Sequence, residues 1–176
     1  MRKAILAVFL AFSPMTASAA LKVGDKAPDF SAQATLGGKR FTFHLADILK
    51  TGPAVVYFYP AAFTKGCSVE AHDFAEAMPR YQALGASVVG ISRDNLTTLD
   101  KFSVSDCQSK FPVASDADGK IMKSYDASLG FLMPYADRVS YVVGQDGRIA
   151  FVHGDLDPDA HVSLTLKAVG ALQDRK

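Results

Sequence analysis

The chain has 176 residues, 49% of them apolar and 21% charged, with 19 Lys and Arg against 18 Asp and Glu for a formal net charge of +1. That length and apolar content suit one compact domain with a substantial core and exclude a disordered chain. The balanced charge leaves no basic footprint for nucleic acid, and two cysteines build neither a disulfide scaffold nor a four-thiolate zinc site.

In chain order, Arg2 and Lys3 precede nine unbroken apolar residues, Ala4 to Phe12, and then the small-residue run Thr16-Ala17-Ser18-Ala19. A spanning helix needs about 20 apolar residues, so this segment is too short to be a permanent anchor. It has the three zones of a secretory signal peptide, residues 1–19, with cleavage expected after Ala19. Removing it takes Arg2 and Lys3 and leaves the mature chain one charge negative. The expectation is export, most simply to a bacterial periplasm, with no stable membrane association. Two thiols outside the cytoplasm are chemically conspicuous.

Residues 20–176 contain no repeat or low-complexity stretch and read as one domain. Leu36-Gly37-Gly38-Lys39 supplies a turn between two short strands, Phe30 to Ala34 and Arg40 to Phe43. Ala54 to Tyr59 is an apolar run stopped by Pro60, as in a buried central strand. Phe74, Met78 and Tyr81 recur at helical spacing, predicting a helix from near Cys67 to about Leu84. Ser87 to Ser92 is the next buried strand, so a right-handed βαβ crossover is expected. A second helix is predicted over Thr97 to Lys110. Val139 to Val143 and Ile149 to His153 flank the turn residues Gly144 to Gly147, and Asp157-Pro158 opens a terminal helix carrying Val162, Leu166 and Val169. The fold class is α/β: a mixed central sheet flanked by helices in the thioredoxin-like layout, with an N-terminal hairpin and an inserted helix.

The informative stretch runs from Tyr59 to Glu70, where Cys67 sits just past a central strand at the start of a helix. Unpaired N–H groups at a helix N-terminus favour the thiolate, the nucleophilic form. A buried structural cysteine is the competing reading. Thr64, three residues earlier, could place its hydroxyl beside the sulfur or serve as a helix cap.

Pro60, Thr64 and Cys67 together form P-x-x-x-T-x-x-C, and here the sequence resembles the peroxiredoxin family, in its bacterioferritin-comigratory-protein branch. Val23 to Phe30 resembles the family's opening segment, and Ser115-Asp116-Ala117-Asp118-Gly119-Lys120 its later Asp-Gly turn. Arg138, before the strand Val139 to Val143, resembles its active-site arginine. The resemblance implies a thiol peroxidase that uses no cofactor or metal. Cys67 attacks peroxide, donors from Thr64 and Arg138 meet the departing oxygen, Pro60 shields the oxidised sulfur, and Glu70 holds Arg138. For Glu70, a solvated first-turn glutamate favourable to the helix dipole is equally open.

Cys107 decides the subtype. Branch members often carry a resolving cysteine five residues after the reactive one, a position held here by His72, whereas others place it on the next helix, where Cys107 is expected. The resemblance thus implies an intramolecular Cys67–Cys107 disulfide, against a merely structural thiol. It also implies a peroxide substrate and a thioredoxin-like dithiol reductant, in a monomer or small homo-oligomer. Two alternatives remain. A thioredoxin-type thiol-disulfide oxidoreductase wants Cys-x-x-Cys, where the chain has Cys67-Ser68-Val69-Glu70. A copper carrier wants paired cysteines and a histidine, and none of His44, His153 and His161 is tied to Cys67 by a motif.

Exported material is expected to begin at Ala20. N-terminal sequencing that instead finds Met1 overturns the assignment of residues 1–19.

Overall fold

The computed structural model describes residues 21–130 and 133–174, so the expected signal peptide lies outside the described residues. Its hairpin is β1 (Ser31–Leu36) and β2 (Lys39–His44), paired antiparallel from Ser31↔His44 to Leu36↔Lys39. Gly37 and Gly38 both have positive φ, 56° and 77°, the two left-handed residues that a tight hairpin turn requires. A five-residue helix α1 (Leu45–Leu49) follows, then β3 (Ala54–Phe58), α2 (Lys65–Ala83) and β4 (Ser87–Ser92). The remainder is α3 (Leu96–Ser105), β5 (Val113–Ser115), α4 (Lys120–Ser124), β6 (Val139–Val143), β7 (Ile149–Gly154) and α5 (His161–Gln173).

The strands form one seven-stranded sheet in the order β2-β1-β5-β4-β3-β6-β7. The β3, β4 and β5 neighbours run parallel, while β6 returns antiparallel against β3. Alternation along β3 divides the core. Ala54, Val56 and Phe58 face one side with Phe30, Leu45 and Tyr125, whereas Val55, Tyr57 and Tyr59 face the other, packed beneath α2, α3 and α5. β3 is buried at every position because helices or loops cover both its faces.

Three expectations need correction. The helix predicted to reach Lys110 stops at Ser105, because Gln108 and Ser109 are left-handed, with φ 49° and 56°. The N–H groups of Cys107 and Ser109 turn back onto the Phe102 and Ser103 carbonyls, so Cys107 lies beyond α3 rather than on it. The terminal helix begins at His161, after a turn in which the His161 N–H donates to the Pro158 carbonyl. Finally, β5, α1 and α4 were not anticipated: three- and five-residue elements are too short to show a period.

Gly90 of β4 is paired with Tyr57, whose ring lies over it and stacks on Phe74 at 4.4 Å between centroids. A Cβ at Gly90 would meet the Tyr57 ring at 2.7 Å. Gly90→Ala is therefore expected to cost about 1–3 kcal/mol by overpacking. Urea unfolding that finds no loss of stability shows that the ring has room to move.

Candidate active site

The sheet sets the position of Cys67. β3 ends at Phe58, the chain leaves through buried Tyr59 and half-buried Pro60, and α2 begins at Lys65 with Thr64 as its N-cap residue. The first bond of the helix runs from the Ser68 N–H to the Thr64 carbonyl. Cys67 consequently belongs to the first turn, where N–H groups precede any intrahelical acceptor. The loop is tied down from β4, since Asp94 accepts hydrogen bonds from the Ala62 N–H and the Ser92 hydroxyl, both at 2.8 Å. Phe63 within it is left-handed, with φ 64°, and packs edge-on against Phe102. Cys67 itself is 1% exposed and free of any disulfide.

The register of β6 on β3 brings in the second component. Phe58 pairs with Val139, so Arg138 stands beside the exit of β3 and against the first turn of α2. Its guanidinium donates from Nη2 to Cys67 Sγ at 3.5 Å, from Nε to the Leu156 carbonyl at 2.9 Å, and from Nη1 to Glu70 Oε2. Gly66 makes this approach possible, because a Cβ there would lie 2.9 Å from Nη2. Burial works against the Arg138 charge, but Glu70 and Cys67 outweigh it and hold its pKa above the ordinary value.

Glu70, one turn beyond Cys67, is fully buried and therefore not the solvated glutamate that its position also allowed. Burial pushes its carboxyl up to about 7, against the opposing pull of Arg138. His161 Nδ1 lies 3.6 Å from Glu70 Oε1.

The structure thus brings Cys67, Glu70 and Arg138 together, with Pro60 at the loop that leads to them. It does not bring the Thr64 hydroxyl to the sulfur. That side chain is exposed, makes no capping bond, and donates to the Ala61 carbonyl at 2.9 Å. Cys107 belongs to the same buried cluster as Cys67, together with Tyr57 and Tyr59. Burial, reinforced by Asp106, pushes the Cys107 thiol well above its usual range. Sequence reasoning missed His161 as a neighbour of this site. No local spacing could have found it, because α5 reaches Glu70 only through the packing of α5 on α2 and β6.

Arg138→Met is expected to strand Glu70 without its cation, raising the carboxyl's folded-state proton affinity still further above its unfolded value. Stability is then lost as pH rises, by about 3–5 kcal/mol near pH 8. The gap to the parent narrows toward about pH 5, where a protonated Glu70 needs no partner. Thermal melts showing the same gap at both pH values contradict this account of the pair.

Residues 23–152 match the AhpC/TSA family. The Mycobacterium tuberculosis protein named "Putative peroxiredoxin Rv1608c" is 32% identical over 157 residues, covering 87% of this chain and 99% of its own length. Chloroplastic peroxiredoxin Q of Oryza sativa subsp. japonica is 30% identical over 124 residues, 70% of this chain and 57% of its own. Among solved structures, Peroxidoxin BcpB from Mycobacterium tuberculosis is similar with a TM-score of 0.79 at 30% identity, covering 86% of this chain and 98% of that one. A family match over most of the chain, together with a curated relative matched across nearly its whole length, means that this chain belongs to the AhpC/TSA family of peroxiredoxins.

Proposed function

We propose that this thiol-dependent peroxidase carries out its first step at Cys67 and its second at Cys107. The observation that supports the first assignment is the Arg138 guanidinium, 3.5 Å from a sulfur already in the first turn of a helix. Both the guanidinium and the turn's N–H groups stabilise negative charge as it passes from sulfur to oxygen. The Cys67 thiolate attacks one oxygen of a hydroperoxide. An S–O bond forms, the O–O bond breaks, and its electron pair departs on the second oxygen, which takes a proton to become water or an alcohol. Sulfur is oxidised by two electrons and the peroxide reduced by two. Thr64 can donate to that oxygen once its hydroxyl turns from the Ala61 carbonyl, and Pro60, at the start of the loop, takes the shielding role that the family motif implies.

The sulfenic acid left on Cys67 is then attacked by Cys107. An S–S bond forms, the S–O bond breaks, and water leaves with the thiol proton. Both cysteines are buried, and burial holds the Cys107 thiol protonated, so this step calls for local opening of the turn after α3. Gln108 fastens that turn to α2 through His72 at 3.0 Å and Glu76 at 2.9 Å. A thioredoxin-like dithiol protein reduces the disulfide by exchange. If residues 1–19 direct export to the periplasm, the reductant is a dithiol of that compartment. The oxidoreductase alternative is not favoured, since position 70 supplies the partner of Arg138 instead of a second thiol. The copper-carrier alternative likewise gains no support from relatives named as peroxiredoxins.

One equivalent of peroxide is expected to remove two hydrogens from the intact mass of the parent. Cys67→Ser abolishes peroxide consumption. Cys107→Ser keeps the first oxidation fast but stops recycling by a dithiol reductant and leaves a trappable sulfenic acid. A parent that keeps a stable sulfenic acid while Cys107 remains alkylatable makes this a one-cysteine enzyme.

A further inference from the structure

Behind the Arg138–Glu70 pair lies a buried group that these steps do not use. His161, the first residue of α5, is fully buried. Its Nε2 is 2.9 Å from the Asp155 carbonyl, which can only accept, so Nε2 carries a hydrogen. Its Nδ1 faces the Ser140 hydroxyl at 2.8 Å and Glu70 Oε1 at 3.6 Å. That carboxylate oxygen has no hydrogen-bond partner among the described residues.

With Glu70 ionised and His161 neutral, Nδ1 can accept from the Ser140 hydroxyl, but a charged Oε1 is left buried without a donor among the described residues, an unsatisfied state that proteins rarely keep. One proton between them removes the conflict, and the pair is then neutral as a unit whichever atom holds it. The charge at the neighbouring sulfur depends on that proton. With it, a thiolate at Cys67 and the Arg138 guanidinium sum to zero. Without it, two anions compete for one guanidinium.

We infer that Glu70 and His161 hold one buried proton between them, coupled through Arg138 to the charge on Cys67, and that His161 is therefore a positioning residue of the peroxidase site. The inference rests on Cys67 being the reactive thiol. By linkage, a thiolate tightens the pair's hold on the proton, and its conversion to a neutral sulfenic acid loosens it. Once the proton escapes to solvent, Glu70 claims Arg138 more strongly and the guanidinium releases the oxidised sulfur for attack by Cys107.

The other groups facing the pair fit this assignment. From β7, the His153 ring lies 4.7 Å from that of His161, with a buried Nε2 that lacks a partner among the described residues. Burial pushes His161 below the ordinary imidazole range. His153 and Arg138 add to that, against the Asp155 carbonyl and carboxylate. Asp73 on α2 raises Glu70 alongside burial. The proton accordingly resides on the Glu70 side, 3.6 Å from Nδ1.

The test reads the imidazole 15N shifts of His161 in the full chain, kept reduced, from about pH 5 to about pH 9. In the parent the Nδ1 shift is expected to titrate as the shared proton is lost. In Cys67→Ser, where the negative charge is gone, the midpoint should fall by about one pH unit, a tenfold weaker hold on the proton. Glu70→Gln should abolish this difference: the single variant and its combination with Cys67→Ser should then give the same His161 shifts across the range. Equal midpoints in the parent and Cys67→Ser, a flat Nδ1 shift in the parent, or a difference that survives Glu70→Gln each overturn the inference. No peroxide enters the measurement, so its failure is distinguishable from failure of the Cys67 assignment, which shows in turnover.

Discussion

A guanidinium only 5% exposed organises the centre of this molecule. A charge so buried is tolerated only when its donors are met, and Arg138 is met from three directions by Glu70, the Leu156 carbonyl and the Cys67 sulfur. Each partner arrives by a different structural route. The β3–β6 register fixes the backbone of Arg138, and the β6–β7 pairing of Val139 with Gly154 sets the following turn so that the Asp155 N–H returns to the Arg138 carbonyl. Gly66 clears the space through which the fork reaches the first turn of α2. The site is therefore a property of the whole sheet more than of any one loop.

The two thiols show how environment gives one functional group two different characters. Cys67 has a cation and the start of a helix, both of which favour negative charge on sulfur. Cys107 has neither. It is enclosed with Tyr57, Tyr59 and Phe102 beneath α3, and the nearby Asp106 further opposes its ionisation. A thiol so held is inert while the fold is closed and becomes a nucleophile only when exposed. In the proposed scheme, the order of the two steps can thus follow from these surroundings, without any difference in intrinsic chemistry between the two side chains.

Much of this was legible in the sequence wherever a period or a turn signal was long enough to register. Gly37-Gly38 marked the hairpin, the apolar runs marked β3 and β4, and the 74-78-81 spacing marked α2. The end of α3 was not legible, because left-handed Gln108 and Ser109 are residues with no strong preference for that conformation, and the helical pattern runs on through them. In the site, Pro60, Thr64 and Cys67 could be named from one motif, and Glu70 and Arg138 from the family resemblance that the motif carries. The orientation of the Thr64 hydroxyl could not, because a free rotor is set by its nearest acceptor, here the Ala61 carbonyl. His161 was equally hidden: its relation to Glu70 exists only after α5 has packed on α2.

These differences bear on how the molecule can move without losing its site. Arg138 immediately precedes Val139, which pairs with both β3 and β7, and its carbonyl accepts from the Asp155 N–H, so displacing it disturbs the end of both pairings. Cys67 and Cys107 are held more loosely, one in the first turn of a helix and the other in an irregular turn tied to α2 by half-buried Gln108. Helix ends and irregular turns open at a fraction of the free energy of global unfolding. The proposed cycle, in which Cys67 and Cys107 come into bonding distance, can accordingly draw on these two weak points, while the guanidinium, its carboxylate and the histidine behind them stay in place to receive Cys67 when the turn closes again.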